Sequence, residues 1–119
     1  MLYNLEERAI EHAVLPWCER HRVSVTAYSP FGHDRFPSPH SSRGRVLAQV
    51  AAAHGATARQ VALAFLSRLP SVLAIPKASR IAHAQENAAA ADLQLSDADI
   101  RSIEEAFPLG ARPGTLPTL

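Results

Sequence analysis

Apolar residues along the chain recur in two rhythms, one with helical and one with strand spacing, and their alternation lays out the fold. Ile10, Val14, Leu15 and Cys18 fall on one face of a helix running to about His21, with Pro16 either inside its first turn or kinking it. Val23-Ser24-Val25-Thr26-Ala27-Tyr28 is rich in β-branched residues, alternates in polarity and is closed by Pro30, which predicts a strand over 23–28. Residues 29–42 have no period and hold three prolines, one glycine, four serines and two histidines, which predicts a long loop of the kind that is functional or disordered in compact domains. Val46, Leu47 and Val50 mark a second helix that ends at His54-Gly55. Thr57 with Gln60 forms a capping box for a third, whose Val61, Ala62, Phe65, Leu66 and Leu69 make a broad apolar stripe stopped by Pro70.

The short apolar run Val72-Leu73-Ala74-Ile75, bounded by Pro70 and Pro76, predicts a strand buried on both faces of a parallel sheet. Ser79 is placed to cap a helix of about Ile81 to Ala91, and Ser96 with Asp99 opens a last helix that turns Ile100, Ile103 and Phe107 inward. Residues 108–119 hold three prolines and two glycines and are expected to be an irregular tail. Two strands separated by helices, with the stub of a third over residues 1–4, give an α/β class with a parallel sheet and its helices outside. So few strands cannot close a sheet, and unpaired edges are expected.

Composition narrows the classes. The 119 residues suffice for one modest domain and fall short of the roughly 250 residues of a full (β/α)₈ barrel. Twelve Lys+Arg against eleven Asp+Glu leave a net charge of +1, which gives no electrostatic drive toward nucleic acid or acidic membranes. Neither is expected as a partner. Eleven of the twelve cations are arginine and one is Lys77, so chemistry that needs two lysines is closed to this chain. The lone Cys18 excludes an internal disulfide or a Cys zinc site and suits a reducing cytoplasm, and it is read as a core residue. No targeting segment and no uninterrupted apolar stretch of membrane-spanning length stand in the sequence, so a cytoplasmic protein is expected.

Parallel α/β folds bind ligands at the carboxyl ends of their strands, which directs attention to the residues after 28 and 75. Tyr28 can stack on a flat heterocycle, with the long loop folding over it, or can simply cap the core. Pro76-Lys77-Ala78-Ser79 precedes a helix start, where unpaired N–H groups and the Lys77 charge suit a phosphate; the alternative is an ordinary capped helix beside a solvated lysine. The histidines His12, His21, His33, His40 and His54, and the acidic pairs Glu6-Glu7, Glu104-Glu105 and Asp97/Asp99, are read as surface groups at helix ends and loops.

Tyr3-Asn4-Leu5-Glu6-Glu7-Arg8, Leu15-Pro16-Trp17-Cys18, Ala27-Tyr28-Ser29-Pro30-Phe31-Gly32, Thr57-Ala58-Arg59-Gln60-Val61-Ala62-Leu63, Ile75-Pro76-Lys77-Ala78-Ser79 and Glu86-Asn87 together resemble, in that order, the C-terminal part of aldo-keto reductases. The likeness covers about residues 1–107. It implies the end of barrel strand six through strand eight of a (β/α)₈ barrel, an incomplete barrel whose full-length form transfers hydride from NADPH to aldehydes and ketones. It further implies that Tyr28 stacks on the nicotinamide ring and that Ser29, Pro30, Phe31 and Gly32 line the pyrophosphate path. Lys77 and Ser79 would hold the adenosine 2′-phosphate, with His83 at a position where many members carry an arginine, and Glu86 and Asn87 would contact the adenine. The family's catalytic Asp, Tyr, Lys and His come from the N-terminal half and match no position here, so the chain alone is expected to be inactive. It would be either the cofactor-binding part of an oxidoreductase or a non-catalytic remnant. A remnant would bind a nucleotide or a protein at most, and could self-associate through its open sheet edge.

Overall fold

In the computed structural model, which describes residues 1–118, a small parallel sheet carries helices on one face only. The first helical stretch is split. A 3₁₀ turn covers Ala9–Glu11, and helix α1, Val14–His21, begins after it. Pro16 has no N–H and its ring would collide with the carbonyl four residues back, so the helix can start no earlier than leaves Pro16 in the first turn. Arg22 then adopts a left-handed conformation (φ 57°), and the Val23 N–H returns to the Cys18 carbonyl at 2.9 Å. That turn consumes the first residues of the expected strand. Strand β1 is accordingly Val25–Ala27, extended by a single parallel bridge between Tyr28 and Leu2.

Helix α2, Ser42–His54, starts where the Ser41 hydroxyl accepts the Gly44 N–H at 3.0 Å, and stops at Gly55 in the left-handed region. Helix α3, Ala58–Leu66, carries the full Thr57/Gln60 capping box and ends before Pro70, leaving Leu69 half-buried in the following turn. Strand β2, Val72–Ala74, pairs in parallel with β1 in the register Val25↔Val72, Thr26↔Leu73, Ala27↔Ala74. Helix α4, Ile81–Ala89, runs into a 3₁₀ turn over Ala90–Asp92, and α5, Asp97–Ala106, opens on the Ser96/Asp99 capping box. Residues 108–118 contain no helix or strand.

Two expectations are corrected. Ser79 does not cap α4: the helix begins one residue too late for it, Arg80 is the extended N-cap, and no side chain caps that end. Nor is β2 buried on both faces. Val72 is 4% exposed, but Leu73 and Ile75 are 58% and 54% exposed. A residue alternates faces along a strand, so Val25, Ala27 and Val72 point into the helical layer while Thr26, Leu73 and Ile75 point to the uncovered side.

The core is continuous beneath the covered face. Tyr3, Leu15, Leu47, Val61, Phe65, Leu66, Ile103 and Phe107 are its large, fully buried members, with α3 at the centre between α2 and the sheet. Each such side chain contributes roughly 1.5–3 kcal/mol through burial. Cys18 lies in this core as a free thiol. A polar cluster is embedded beside it: Arg8, 4% exposed, meets Glu11, and Arg68 bridges Glu11 to the Tyr3 hydroxyl. Both arginines also lie over the Phe65 ring, at 5.1 Å for Arg8 and 3.9 Å for Arg68. Among the described residues no helix is long and apolar enough to cross a membrane.

Candidate functional site

The carboxyl ends of β1 and β2 are adjacent because the strands run parallel in register, and the Ile75 N–H donates to the Ala27 carbonyl at 2.9 Å as the last rung. The chain leaving β1 turns at once. Ser29 takes a positive φ of 53°, Gly32 one of 74°, and His33 and Asp34 follow at 46° and 61°. This backbone is held by a Gly32 N–H to Ser29 carbonyl bond of 3.0 Å and an Arg35 N–H to Gly32 carbonyl bond of 3.1 Å. Non-glycine residues in the left-handed region cost free energy that the surrounding structure must supply, and such positions cluster at ligand sites.

Two clefts open there. The larger, about 520 Å³, is lined by residues 29–34 together with Phe36, Arg59, Ile75 and Lys77. The smaller, about 330 Å³, is lined by Phe31, Arg59, Lys77, His83, Glu86 and Asn87. Phe31, Arg59 and Lys77 line both, so the two clefts adjoin between the end of β1 and the face of α4. Eight of the sequence-derived residues, Ser29, Pro30, Phe31, Gly32, Lys77, His83, Glu86 and Asn87, therefore converge on this pair of clefts. Tyr28 and Ser79 line neither cleft. Tyr28 is half-buried where its strand bridges Leu2, and Ser79 is exposed ahead of α4.

Glu86 and Asn87 are positioned by α3. The Gln60 amide completes the capping box by accepting the Thr57 N–H at 2.9 Å, and its nitrogen donates to the Glu86 carbonyl at 2.9 Å. The Thr57 hydroxyl donates to a Glu86 carboxylate oxygen, also at 2.9 Å. One local motif thus both starts α3 and anchors α4, which buries no side chain of its own. Donors and cations line the smaller cleft (Arg59, Lys77, His83, Asn87), with Glu86 as its single carboxylate, already hydrogen-bonded. An anionic group with a flat polar ring, such as a phosphorylated adenosine, fits this donor set.

Sequence reasoning missed Arg59 and Phe36. The guanidinium of Arg59 sits 4.7 Å from the ring centroids of both Phe31 and Phe36. Helical spacing turns Arg59 away from the Val61–Phe65 stripe, but nothing local shows what the outward face meets. His54 and Asp99, read as separate surface groups, are hydrogen-bonded at 2.7 Å, and His12 is half-buried with a partnerless Nε2 among the described residues.

The family model described as "Aldo/keto reductase family" matches residues 1–107. Methylglyoxal reductase YeaE of Escherichia coli (strain K12) is 39% identical over 108 residues, which cover 91% of this chain and 38% of that protein. Pyridoxine 4-dehydrogenase of the same organism is 37% identical, across 86% of this chain and 34% of the relative. The crystal structure of an aldo/keto reductase from Klebsiella pneumoniae in complex with NADP and acetate superposes with a TM-score of 0.87 at 37% identity, over 100% of this chain and 42% of that one. A second from Klebsiella pneumoniae, in complex with NADPH, gives a TM-score of 0.86 at 36% identity over the same shares. The chain spans only about a third to two fifths of the length of these relatives.

Proposed function

Because this chain belongs to the aldo/keto reductase family, we propose that it is the cofactor-binding C-terminal part of an NADPH-dependent oxidoreductase that reduces aldehydes and ketones to alcohols. The observation that carries this reading is the convergence of Lys77, His83, Glu86 and Asn87 on one cleft beside the Ser29–Gly32 turn. Lys77 and His83 bind the 2′-phosphate, Glu86 and Asn87 take the adenine, and the turn accommodates the pyrophosphate while Tyr28 offers a ring face to the nicotinamide. Ser79, exposed near Lys77 in sequence, reaches the phosphate from the loop before α4. Bound NADPH supplies the hydride; these residues hold and orient it.

In this reading Leu2 marks the end of barrel strand six, and β1 and β2 are strands seven and eight of a (β/α)₈ barrel. The bare face of Thr26, Leu73 and Ile75 is then barrel interior, which the remaining strands would cover. The carbonyl substrate and the groups that protonate it belong to that other half, so the 119-residue chain alone oxidises no NADPH. The compartment that suits the free Cys18 is the cytoplasm.

NADPH fluorescence titration of the chain and of Lys77→Ala tests the site. Binding that weakens in the variant is expected, and equal affinities overturn the assignment. NADPH consumption above background with a panel of aldehydes would overturn the expected inactivity. A second reading, a non-catalytic nucleotide-binding module that associates with another copy, is favoured by the uncovered sheet face and the free edge of β2. Sedimentation that stays monomeric across concentration counts against it.

A further inference from the structure

Arg59 stands in the first turn of α3, where the two clefts meet, and the motif residues assigned above leave it without a role. Its guanidinium is held by two aromatic rings, Phe31 and Phe36, at 4.7 Å each, and those rings meet edge to face at 5.8 Å and 89°. A guanidinium resting on ring faces is oriented without spending any of its five N–H donors. Among the described residues its side chain makes no hydrogen bond and no salt bridge, whereas Arg8, Arg43 and Arg68 are each paired with a glutamate. An exposed arginine ordinarily places its charge in bulk water. Here two rings keep the charge in a cleft that already contains Lys77.

The surplus charge has a direction. The carboxylates lining the two clefts are Asp34 and Glu86; Asp34 lines only the larger, and Glu86 is engaged by the Thr57 hydroxyl. The smaller cleft therefore presents two full cations, Arg59 and Lys77, to whatever enters it. A phosphate monoester dianion meets both requirements, since it takes a point charge from lysine and a forked pair of hydrogen bonds from arginine.

We propose that Arg59 binds the 2′-phosphate of the nucleotide together with Lys77, with Phe31 and Phe36 as its positioning residues. The proposal rests on the reading that this cleft takes NADPH, and it makes Arg59 a determinant of NADPH over NADH. It also gives the site a second full cation beside Lys77.

NADPH and NADH are titrated by calorimetry into the 119-residue chain and into Arg59→Gln, Arg59→Lys, Phe36→Leu and Lys77→Ala. Arg59→Gln is expected to weaken NADPH about tenfold or more and NADH less than about twofold. Arg59→Lys recovers part of the loss, and Phe36→Leu, which keeps the charge and loosens the clamp, costs NADPH a smaller factor. Unchanged urea midpoints show that the variants fold. Equal losses for NADPH and NADH in Arg59→Gln overturn the 2′-phosphate contact, and so does no loss for either while Lys77→Ala still weakens NADPH selectively. In that last case the NADPH reading stands without Arg59. An absence of NADPH binding to the unaltered chain, or no effect of Lys77→Ala, overturns both.

Discussion

Arg8 and Glu11 form a two-point ion pair at the edge of the core: Nε meets Oε1 at 2.8 Å and Nη2 meets Oε2 at 2.7 Å, with the side chains 4% and 10% exposed. Arg8 Nη1 also donates to the Phe107 carbonyl at 2.7 Å, so the pair ties the first turn of the chain to the end of α5. Tyr3 donates its hydroxyl to Glu11 at 2.6 Å, and Arg68 contacts both. The cluster closes the molecule where the first turn of the chain meets α5, and none of its side chains lines either cleft, so its role is structural.

Removing one partner strands the other charge in a buried site, which costs about 3–5 kcal/mol. Arg8→Ala and Glu11→Ala are each expected to lower the urea unfolding free energy by that amount. A loss of under about 1 kcal/mol in both would show that the pair is solvated in practice.

The pH dependence follows from the same groups. Burial works to raise the Glu11 carboxyl, but hydrogen bonds from Arg8 and Tyr3 and the charges of Arg68 and Arg8 outweigh it and hold it below its ordinary value. At the other end of the core, the hydrogen bond from His54 and the Ser96 backbone N–H hold Asp99 down as well. A depressed carboxyl contributes stability above its unfolded value, about pH 4, that is lost as pH falls through the folded one. Burial first, and then the hydrogen bond to Glu11, push the Tyr3 phenol up. Its contribution is complete below about pH 10 and declines above it. Thermal melts across pH should therefore show acid and alkaline losses, and Glu11→Gln should flatten the acid limb. An acid limb identical in Glu11→Gln and wild type would assign it elsewhere.

Gly44 is fixed by packing. A Cβ there would lie 1.8 Å from the Ser38 carbonyl oxygen and 2.6 Å from its carbon, which are backbone atoms held by the Ser41 cap. Gly44→Ala is expected to cost about 1–3 kcal/mol despite the better helix propensity of alanine. A raised melting temperature would show that the 38–41 loop yields freely.

The two faces of β2 should respond oppositely. Val72→Ala removes a core side chain and should lower stability by about 1–3 kcal/mol, while Leu73→Ser should change it by less than about 0.5 kcal/mol. If Leu73→Ser proves the more damaging, the face that carries Leu73 is covered in solution, and concentration-dependent sedimentation would identify a second copy as the cover.

Gln60 links stability to the site. Gln60→Ala removes a capping-box partner and the anchor to the Glu86 carbonyl, and should cost about 0.5–2 kcal/mol. It should also weaken NADPH, because the loop and helix carrying Lys77, Glu86 and Asn87 lose their tie to α3. Loss of stability with unaltered nucleotide affinity would show that α4 keeps its place without this bond.

Much of this was legible in the sequence because it is local. Thr57/Gln60 and Ser96/Asp99 were readable as caps since each box closes within one helical turn, and Gly55 as a stop since it supplies the left-handed backbone. The strand-end rule likewise pointed to Lys77, because in parallel strands those ends fall side by side, whereas His83, Glu86 and Asn87 entered through the family resemblance alone. Tertiary structure decided the rest. Pro16 and Ser79 each left a boundary open within a residue or two, and the fold placed α1 and α4 so that one fits the first turn and the other misses the cap. The unbroken apolar run of β2 suggests cover on both faces, but which face is covered depends on the strands and helices that pack there. Tyr3 and Arg68 lie 65 positions apart, as Arg8 and Phe107 lie 99 apart, and their hydrogen bonds exist only once the core has brought them together. Arg59 belongs to the same class: its sequence neighbours assign it to an outward helix face, and only the folded loop sets Phe31 and Phe36 against it.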